Sequence, residues 1–223
     1  MRKEEAEYIG NSIRQLGQEF GGPVLNVGSS TRNFRENIQK HVNEKIFLPL
    51  KSDAVKVIHT DLKDADGVDI SGDLLDVNVQ KELACLHPRI ILASNLLEHL
   101  PLEVRDRFPA ALDTILANDG FLILTVPYSY PLHFDPIDTY FRPSPDELAA
   151  LFPRYQVIDK QVITSTNYYQ DLKKYSFSTI LRILGRLVMP FYKPKSWIGV
   201  AHRFLWLFKP YKVSYVLLKK STN

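Results

Sequence analysis

Two patterns of hydrophobic and polar positions alternate along the chain, one helical and one typical of buried strands. Apolar residues recur every three or four positions from residue 3 to residue 20, which predicts an amphipathic helix that Gly21-Gly22-Pro23 ends. Short, nearly continuous apolar runs follow, separated by polar segments of helical length. These runs predict strands at residues 24–27, 55–59, 68–70, 89–93, 121–126, 156–164 and 213–218.

The order of these segments predicts the fold class. Buried strands that alternate with helical segments are typical of a parallel sheet with helices on both faces. We therefore predict an α/β fold, a Rossmann-like three-layer sandwich, built as a single domain over residues 1–223. Residues 170–212 interrupt the pattern with helical spacing, bases and aromatic side chains, which indicates a helical insert before the last strand.

Composition narrows the class of protein. Hydrophobic residues make up 45% of the chain and charged residues 24%, as in soluble globular proteins, so a wholly disordered chain and a polytopic membrane protein are excluded. The single cysteine, Cys85, excludes an intramolecular disulfide and fits a reducing, cytoplasmic compartment. The charged N-terminal segment has no apolar core, so we expect no signal peptide.

Charge is distributed unevenly. Residues 170–223 hold eleven Lys or Arg and one acid, a net of +10, whereas residues 1–169 hold 17 bases and 24 acids, a net of −7. Such asymmetry marks a surface for anionic partners. We expect residues 173–209 to form either a lid over the substrate cleft or an element that lies on an anionic membrane, with the protein peripheral at its inner face. Nucleic acid is disfavoured, because the acidic body would repel a duplex.

Polar residues follow successive predicted strands. Ligands bind beyond the carboxyl ends of the strands in an open parallel sheet, where the strand order reverses. The residues predicted there are Gly28–Thr31, Asp61, Asp73, Asn95–His99 and the loop from Tyr128. A carboxylate at Asp61 can accept both hydroxyls of a ribose, and one at Asp73 can accept from an adenine amine. The alternative is a turn glycine with helix-capping or solvated aspartates.

The loop after the first predicted strand indicates whether the ligand carries phosphate groups. A dinucleotide site uses Gly-x-Gly-x-x-Gly, and residues 28–33 (Gly-Ser-Ser-Thr-Arg-Asn) lack two of those glycines. The sequence has no Walker-type Gly-Lys-Ser/Thr. A nucleoside ligand without phosphates therefore suits this loop better than NAD, and a nicotinamide-dependent oxidoreductase is the weaker alternative.

Five segments in the same order resemble the class I S-adenosylmethionine-dependent methyltransferases, near the type 11-like group that modifies small molecules, sugars and lipids. They are Val24–Ser30 (VLNVGSS), Asp61, Val68–Leu74 (VDISGDL), Ala93–Leu100 (ASNLLEHL) and Gly120–Pro127 (GFLILTVP). The resemblance spans roughly residues 20–165. It implies a seven-stranded, mostly parallel sheet with an antiparallel last strand, and S-adenosyl-L-methionine as cofactor.

The resemblance also implies roles for individual residues. It places Asn26, Gly28 and Ser29 around the methionine part of the cofactor, Asp61 at the ribose, Asp73 and Leu74 at the adenine, and Asn95 beside the methyl donor. Two positions depart from the family: Asn26 stands where an acid is usual, and Ser30 where a second glycine is usual. A non-catalytic cofactor-binding or scaffold protein is therefore an alternative.

The predicted reaction is methyl transfer to a small-molecule, sugar or lipid-linked acceptor, at a hydroxyl oxygen. An alcohol needs a base to remove its proton, and His133 is our candidate because Asp135 and Asp138 follow it closely and either could fix its tautomer. Arg142 could neutralise one of these carboxylates or bind an anionic acceptor. The alternative is that these side chains only hold the loop together.

The sequence does not indicate that the histidines other than His133 bind a metal ion. His41, His59 and His87 have no partner at metal-ligand spacing, so we predict no metal site. By analogy with the family, Glu98 and His99 are expected to order their loop and cap the next helix. Neither the oligomeric state nor the acceptor follows from the sequence.

Overall fold

The computed structural model describes residues 1–17, 21–133 and 137–221. Seven strands form one sheet in the order β3-β2-β1-β4-β5-β7-β6. The strands are β1 (Val24–Val27), β2 (Val57–Asp61), β3 (Ile70–Ser71), β4 (Ile90–Ser94), β5 (Phe121–Ser129), β6 (Tyr155–Thr164) and β7 (Lys212–Lys220). Strands β1 to β5 pair in parallel, and β7 runs antiparallel between β5 and β6.

Helices cover both faces of the sheet. They are α1 (Lys3–Leu16), α2 (Lys40–Val42), α3 (Leu48–Ser52), α4 (Val77–Ala84), α5 (Leu102–Ile115), α6 (Pro145–Ala150), α7 (Tyr168–Leu172), α8 (Phe177–Leu187) and α9 (Pro194–Arg203). One face packs against α4, α5 and α6, and the other against α1 and the helical segment between β1 and β2. The central strands are apolar on both sides because they contact helices on both sides, so β1 and β4 are almost fully buried.

The predicted fold class is confirmed, including the antiparallel last strand and the helical insert before it. The strand predictions agree with the observed strands to within about three residues at their ends, and the capping box of Ser144 and Glu147 opens α6. The sequence predicts a polar helical segment over about residues 32–40, and the observed segment, which includes two π-helical turns, runs from Phe34 to Ser52, so only its second half was missed. The observed α1 ends at Leu16, and the last predicted residues of that helix, 18–20, lie outside the described chain.

The insert divides into an exposed half and a packed half. In α8 no side chain is buried among the described residues, and Trp197 of α9 ties it down by donating a hydrogen bond from Nε1 to the Leu187 carbonyl (2.8 Å). After α9, Trp206 is 5% exposed and packs with Tyr168 and Tyr211. None of the described helices has both the length and the apolar character needed to cross a membrane.

Candidate cofactor and acceptor site

The strand order reverses between β1 and β4. These two strands pair with each other in parallel, and β1 also pairs in parallel with β2 on its other side. Parallel strands end at one edge of a sheet, so the loops after β1, β2, β3 and β4 line that edge side by side. The predicted residues Gly28, Ser29, Asp61, Asp73, Leu74 and Asn95 are all in these loops or at their start. The topology therefore brings the predicted cofactor residues to one place.

The loop after β1 is held in a left-handed turn. Gly28 has φ +68°, and a Cβ there would lie 2.9 Å from Cδ1 of Leu96. Ser30 also has positive φ, at +56°, which costs a residue with a Cβ about 1 kcal/mol and explains why a glycine suits this position. The backbone N–H of Ser29 donates to the Thr60 carbonyl (3.0 Å), which ties the loop to β2.

Arg35 supports this loop from behind. Its guanidinium donates to the carbonyls of Ser29 (2.9 Å), Ser30 (2.6 Å) and Gly67 (2.7 Å), and the residue is 6% exposed. Sequence reasoning missed it, and the only signal was a basic residue on a helical turn directly after the loop. Backbone carbonyls satisfy its donors, so Arg35 fixes the shape of the loop.

Asn26 lies inside β1 and faces β2. Its Nδ2 lies 3.1 Å from Nδ1 of His59. Burial, together with the positive charge of Arg35, lowers the pKa of His59 to about 4, so the ring is neutral and Nδ1 accepts this hydrogen bond. A carboxylate at position 26 would instead require the proton of the His59 ring to be on Nδ1.

Asp61 ends β2 and reaches the loop of β1. Its Oδ2 accepts from the Ser30 backbone N–H (2.8 Å), and its Oδ1 accepts from the Lys63 N–H (3.3 Å). Each carboxylate oxygen can accept more than one hydrogen bond. The side chain is partly exposed, so it keeps accepting capacity toward the edge of the sheet.

The residues after β3 have local partners as well. The Asp73 Oδ1 accepts from the Leu75 N–H (2.9 Å), which forms an Asx turn before α4. Leu74 packs its side chain against the core, and its carbonyl accepts from Nε2 of Gln80 (2.8 Å). Asp73 is exposed and Leu74 partly buried, so both border the edge where the adenine was predicted.

Asn95 begins the loop after β4 with φ +50° and contacts a residue that sequence reasoning missed. Its Nδ2 donates to Oε1 of Glu5 (2.7 Å), and Thr125 of β5 donates from Oγ1 to the same oxygen (2.6 Å). Glu5 is fully buried although it is an acid on α1. Its sequence signal was its position one turn before Ile9, on the apolar face of that helix. The first helix thus closes the carboxyl ends of β4 and β5.

The loop after β5 carries the predicted base. Asp138 is the carboxylate beside His133: its Oδ2 lies 3.2 Å from the ring Nδ1 and accepts from the His133 backbone N–H (3.1 Å). The predicted partner Asp135 lies outside the described residues. The hydrogen-bond partner of Nδ1 is the Pro131 carbonyl (3.4 Å), which can only accept, so Nδ1 carries the proton and the lone pair is on Nε2, with the Asp138 carboxylate beside the ring. Burial lowers the pKa of His133, so the ring is neutral near pH 7.

Arg142 completes this group. It donates to both oxygens of Asp138, from Nη1 to Oδ1 (3.1 Å) and from Nη2 to Oδ2 (2.6 Å). Burial alone would raise the pKa of Asp138, but these bonds and the backbone N–H groups of His133 and Tyr140 outweigh it and lower the pKa. Asp138 is therefore ionised, as the stabilising partner of a histidine must be.

Glu98 and His99 do not cap the next helix, contrary to expectation. Pro101 is the N-cap of α5 and makes no side-chain cap bond. The Glu98 carboxylate is fully buried, and neither oxygen has a hydrogen-bond partner among the described residues. Burial raises its pKa to about 8. The expected ordering of the loop is made by the Glu98 carbonyl, which accepts from the backbone and hydroxyl of Thr139.

The packed half of the insert contacts the same loop. The Leu132 N–H donates to Nδ1 of His202 (2.8 Å), and Nε1 of Trp206 donates to the Ser129 carbonyl (3.1 Å). The rings of Tyr130 and Tyr211 lie 4.9 Å apart, centroid to centroid, and Tyr130 lies 5.7 Å from His133. Tyr130 therefore packs between the candidate base and the packed half of the insert.

A cavity among the described residues lies elsewhere, at the amino-terminal end of the strands. Its volume is about 810 Å³, and Gly10, Ile13, Gly22 and Leu50 are among its lining residues. The chemistry-bearing side chains are at the opposite end of the sheet, so we place the candidate site there.

No protein-family model matches the chain, and no curated protein matches its sequence. Solved structures do match. A SAM-dependent methyltransferase from Archaeoglobus fulgidus aligns with a TM-score of 0.51 at 14% identity, over 96% of this chain and 94% of that one. Coclaurine N-methyltransferase, crystallised with N-methylheliamine and S-adenosylhomocysteine, aligns with a TM-score of 0.55 at 16% identity, over 95% and 70% of the two chains.

The cyclase SpnF also aligns, with a TM-score of 0.53 at 12% identity, over 96% of this chain and 81% of that one. At such low sequence identity, structural similarity establishes the fold and nothing more. The chain therefore has the fold of the class I S-adenosylmethionine-dependent methyltransferases. The reaction has to be argued from the side chains of this chain, since the fold also includes a protein named as a cyclase.

Proposed function

We propose that this protein binds S-adenosyl-L-methionine and transfers its methyl group to the hydroxyl of a small molecule. The observation that carries the proposal is the order of polar residues along the carboxyl edge of the sheet. Ser30 and Asp61, joined by a hydrogen bond of 2.8 Å, lie beside the switch point, with Asp73 on one side and Asn95 on the other. Structural neighbours named as methyltransferases, one with S-adenosylhomocysteine bound, support the choice of cofactor.

The reaction itself is assigned to the loop after β5. A sulfonium methyl is a strong electrophile, so the protein has to align the acceptor and remove its proton. His133 presents a neutral Nε2 with Asp138 behind its Nδ1, which is the arrangement of a general base. We propose that Asn26, Gly28, Ser29, Asp61, Asp73, Leu74 and Asn95 surround the cofactor, as the family resemblance implies.

Calorimetry with two ligands tests the cofactor. We expect S-adenosylhomocysteine to bind and NAD to give no binding heat, because the β1 loop lacks the glycines that a pyrophosphate needs. Binding of NAD alone would replace the proposal with an oxidoreductase. Binding of S-adenosylhomocysteine without methyl transfer to any acceptor in a panel of small alcohols and phenols would favour a non-catalytic cofactor-binding protein.

The exposed half of the insert supports a second, finer proposal: the protein lies on anionic lipid. Large apolar side chains are exposed there, Phe177 by 78% and Phe191 by 97%, although a soluble surface would bury them. Arg182 and Arg186 lie one turn apart on α8, and acids are almost absent from the insert. Aromatic side chains flanked by bases suit a membrane interface, and an acceptor that is lipid-linked would then be presented beside the site.

Vesicle co-sedimentation tests this surface. We expect binding to vesicles that contain anionic lipid and much weaker binding to neutral vesicles, because each surface base contributes about 1 kcal/mol of attraction. The double variant Phe177→Asp/Phe191→Asp should abolish it, whereas Ile38→Asp, which changes a side chain that is 66% exposed outside the insert, should not. Equal binding to both kinds of vesicle, or to neither, would leave the insert as a lid only.

A further inference from the structure

Three potential metal ligands meet at the mouth of the candidate site. Glu98 and His99 come from the turn after β4, and His133 comes from the loop after β5, 34 residues further along the chain. One ligand atom from each lies within 4.8 Å of the others. The Nε2 of His99 is 3.8 Å from Oε1 of Glu98, and the two imidazole rings are 5.3 Å apart at nearly right angles.

Both histidines are oriented for a shared ligand. The Nδ1 of His99 contacts the Ile137 carbonyl, and the Nδ1 of His133 contacts the Asp138 carboxylate. An oxygen at Nδ1 holds that nitrogen protonated and leaves the lone pair on Nε2. Metal-binding histidines characteristically have such a carbonyl or carboxylate behind the ring, because it fixes the tautomer and raises the basicity of the ligating nitrogen.

The buried side chain of Glu98 gives independent evidence that this site binds a ligand. It is fully buried, yet both of its carboxylate oxygens lack a hydrogen-bond partner in the described chain. Buried polar atoms are almost always paired, with protein, water or an ion. Arg142 makes no hydrogen bond to Glu98: its two terminal nitrogens donate to Asp138, and its Nε has no partner among the described residues. The Arg142–Asp138 pair is neutral overall, so it supplies no net positive charge to the Glu98 carboxyl group.

We propose that Glu98, His99 and His133 bind a divalent transition-metal ion. Two imidazoles and one carboxylate with an open position are a ligand set that suits Zn²⁺, and Mg²⁺ is disfavoured because it prefers oxygen ligands. Bonds of ~2.0–2.1 Å around tetrahedral Zn²⁺ set the ligand atoms ~3.3 Å apart. The ligand atoms would therefore approach one another by up to about 1.5 Å, which rotations about the χ angles can supply.

The ion would regulate the proposed reaction, and this consequence rests on the proposed function. His133 cannot give the same Nε2 lone pair to a metal and to the proton of an acceptor. A bound ion therefore blocks the base, and we expect Zn²⁺ to lower methyl transfer and a chelator to restore it. Metal binding itself requires neither cofactor nor acceptor, so it can be measured separately.

Titration of the chelator-treated, full-length protein with ZnCl₂, followed by calorimetry, tests the site. We expect one tight site, and loss of at least tenfold in affinity in Glu98→Gln and in His99→Ala. Glu98→Gln keeps the shape of the side chain and removes only its ability to ionise, so it should fold. Co²⁺ in place of Zn²⁺ should give the visible absorption of a low-symmetry site in the native protein and lose it in both variants.

The control removes the other plausible zinc ligands. Cys85 and His87 are exposed and two residues apart, so the double variant Cys85→Ser/His87→Asn eliminates any adventitious site there while it should keep the tight one. Absence of tight binding, or tight binding that survives both Glu98→Gln and His99→Ala, overturns the proposal. Calorimetry with S-adenosylhomocysteine on the same samples shows separately whether the cofactor proposal stands.

Discussion

Replacing His133 with alanine should reduce methyl transfer by about 10²- to 10⁴-fold, the usual contribution of a general base. The variant loses the Nε2 lone pair that Asp138 orients, whereas the cofactor edge of the sheet is untouched. Affinity for S-adenosylhomocysteine should therefore stay within a few-fold of the native value. The measurement is release of S-adenosylhomocysteine in the presence of chelator, with the acceptor that the panel of alcohols and phenols identifies.

The pH dependence adds a second readout. Burial lowers the pKa of His133, and a base works only when it is deprotonated, so turnover should rise with pH with its midpoint below pH 6.5, the ordinary pKa of histidine. Asp138→Asn should slow the reaction by removing the charge that stabilises the imidazolium. His87→Asn changes an exposed histidine away from this loop and serves as the matched control. Near-native turnover in His133→Ala would mean that the protein acts by positioning alone.

The strands could be predicted because their signal is local. Runs such as Ile90–Ser94 are apolar on both faces, and only a doubly covered sheet accommodates that pattern. The antiparallel direction of the last strand came only with the family resemblance, and the position of β7 between β5 and β6 was not predicted, because nothing in residues 212–220 alone states which neighbours they pair with. Only the beginning of the helical segment before β2 was predicted, because its turns are short and π-helical in part, which disturbs the helical period.

The residues of the candidate site also fall into two groups, those that the local sequence could indicate and those that only the folded structure brings together. Residues that follow strand ends, such as Asp61 and Asn95, were found because strand order alone places them. Contacts between distant segments could not be found: Glu5 reaches Asn95 across 90 residues, and Glu98 meets His133 across the sheet edge. A sequence indicates a metal site only where the ligands are regularly spaced within one segment. The proposed ligands Glu98, His99 and His133 come from two different loops. Burial of their acids is a property of packing and is invisible in composition.

Replacing Asp61 with alanine should weaken S-adenosylhomocysteine by about ten- to a hundredfold, since a hydrogen bond to a charged group contributes ~1.5–3 kcal/mol. The carboxylate ends β2 beside the β1 loop and keeps free accepting capacity toward the proposed ribose. Calorimetry measures the loss directly. Asp64→Ala removes an exposed acid from the same loop and should leave the affinity unchanged.

Asp61 also accepts from the Ser30 N–H (2.8 Å), so a loss could arise from a disturbed loop instead of a missing ribose contact. An analogue of S-adenosylhomocysteine that lacks both ribose hydroxyls separates the two causes, in the manner of a double-mutant cycle. If Asp61 binds the hydroxyls, the native protein and Asp61→Ala should bind this analogue almost equally. If Asp61 only shapes the loop, the ten- to hundredfold difference should persist with the analogue, and the assignment of Asp61 to the ribose fails.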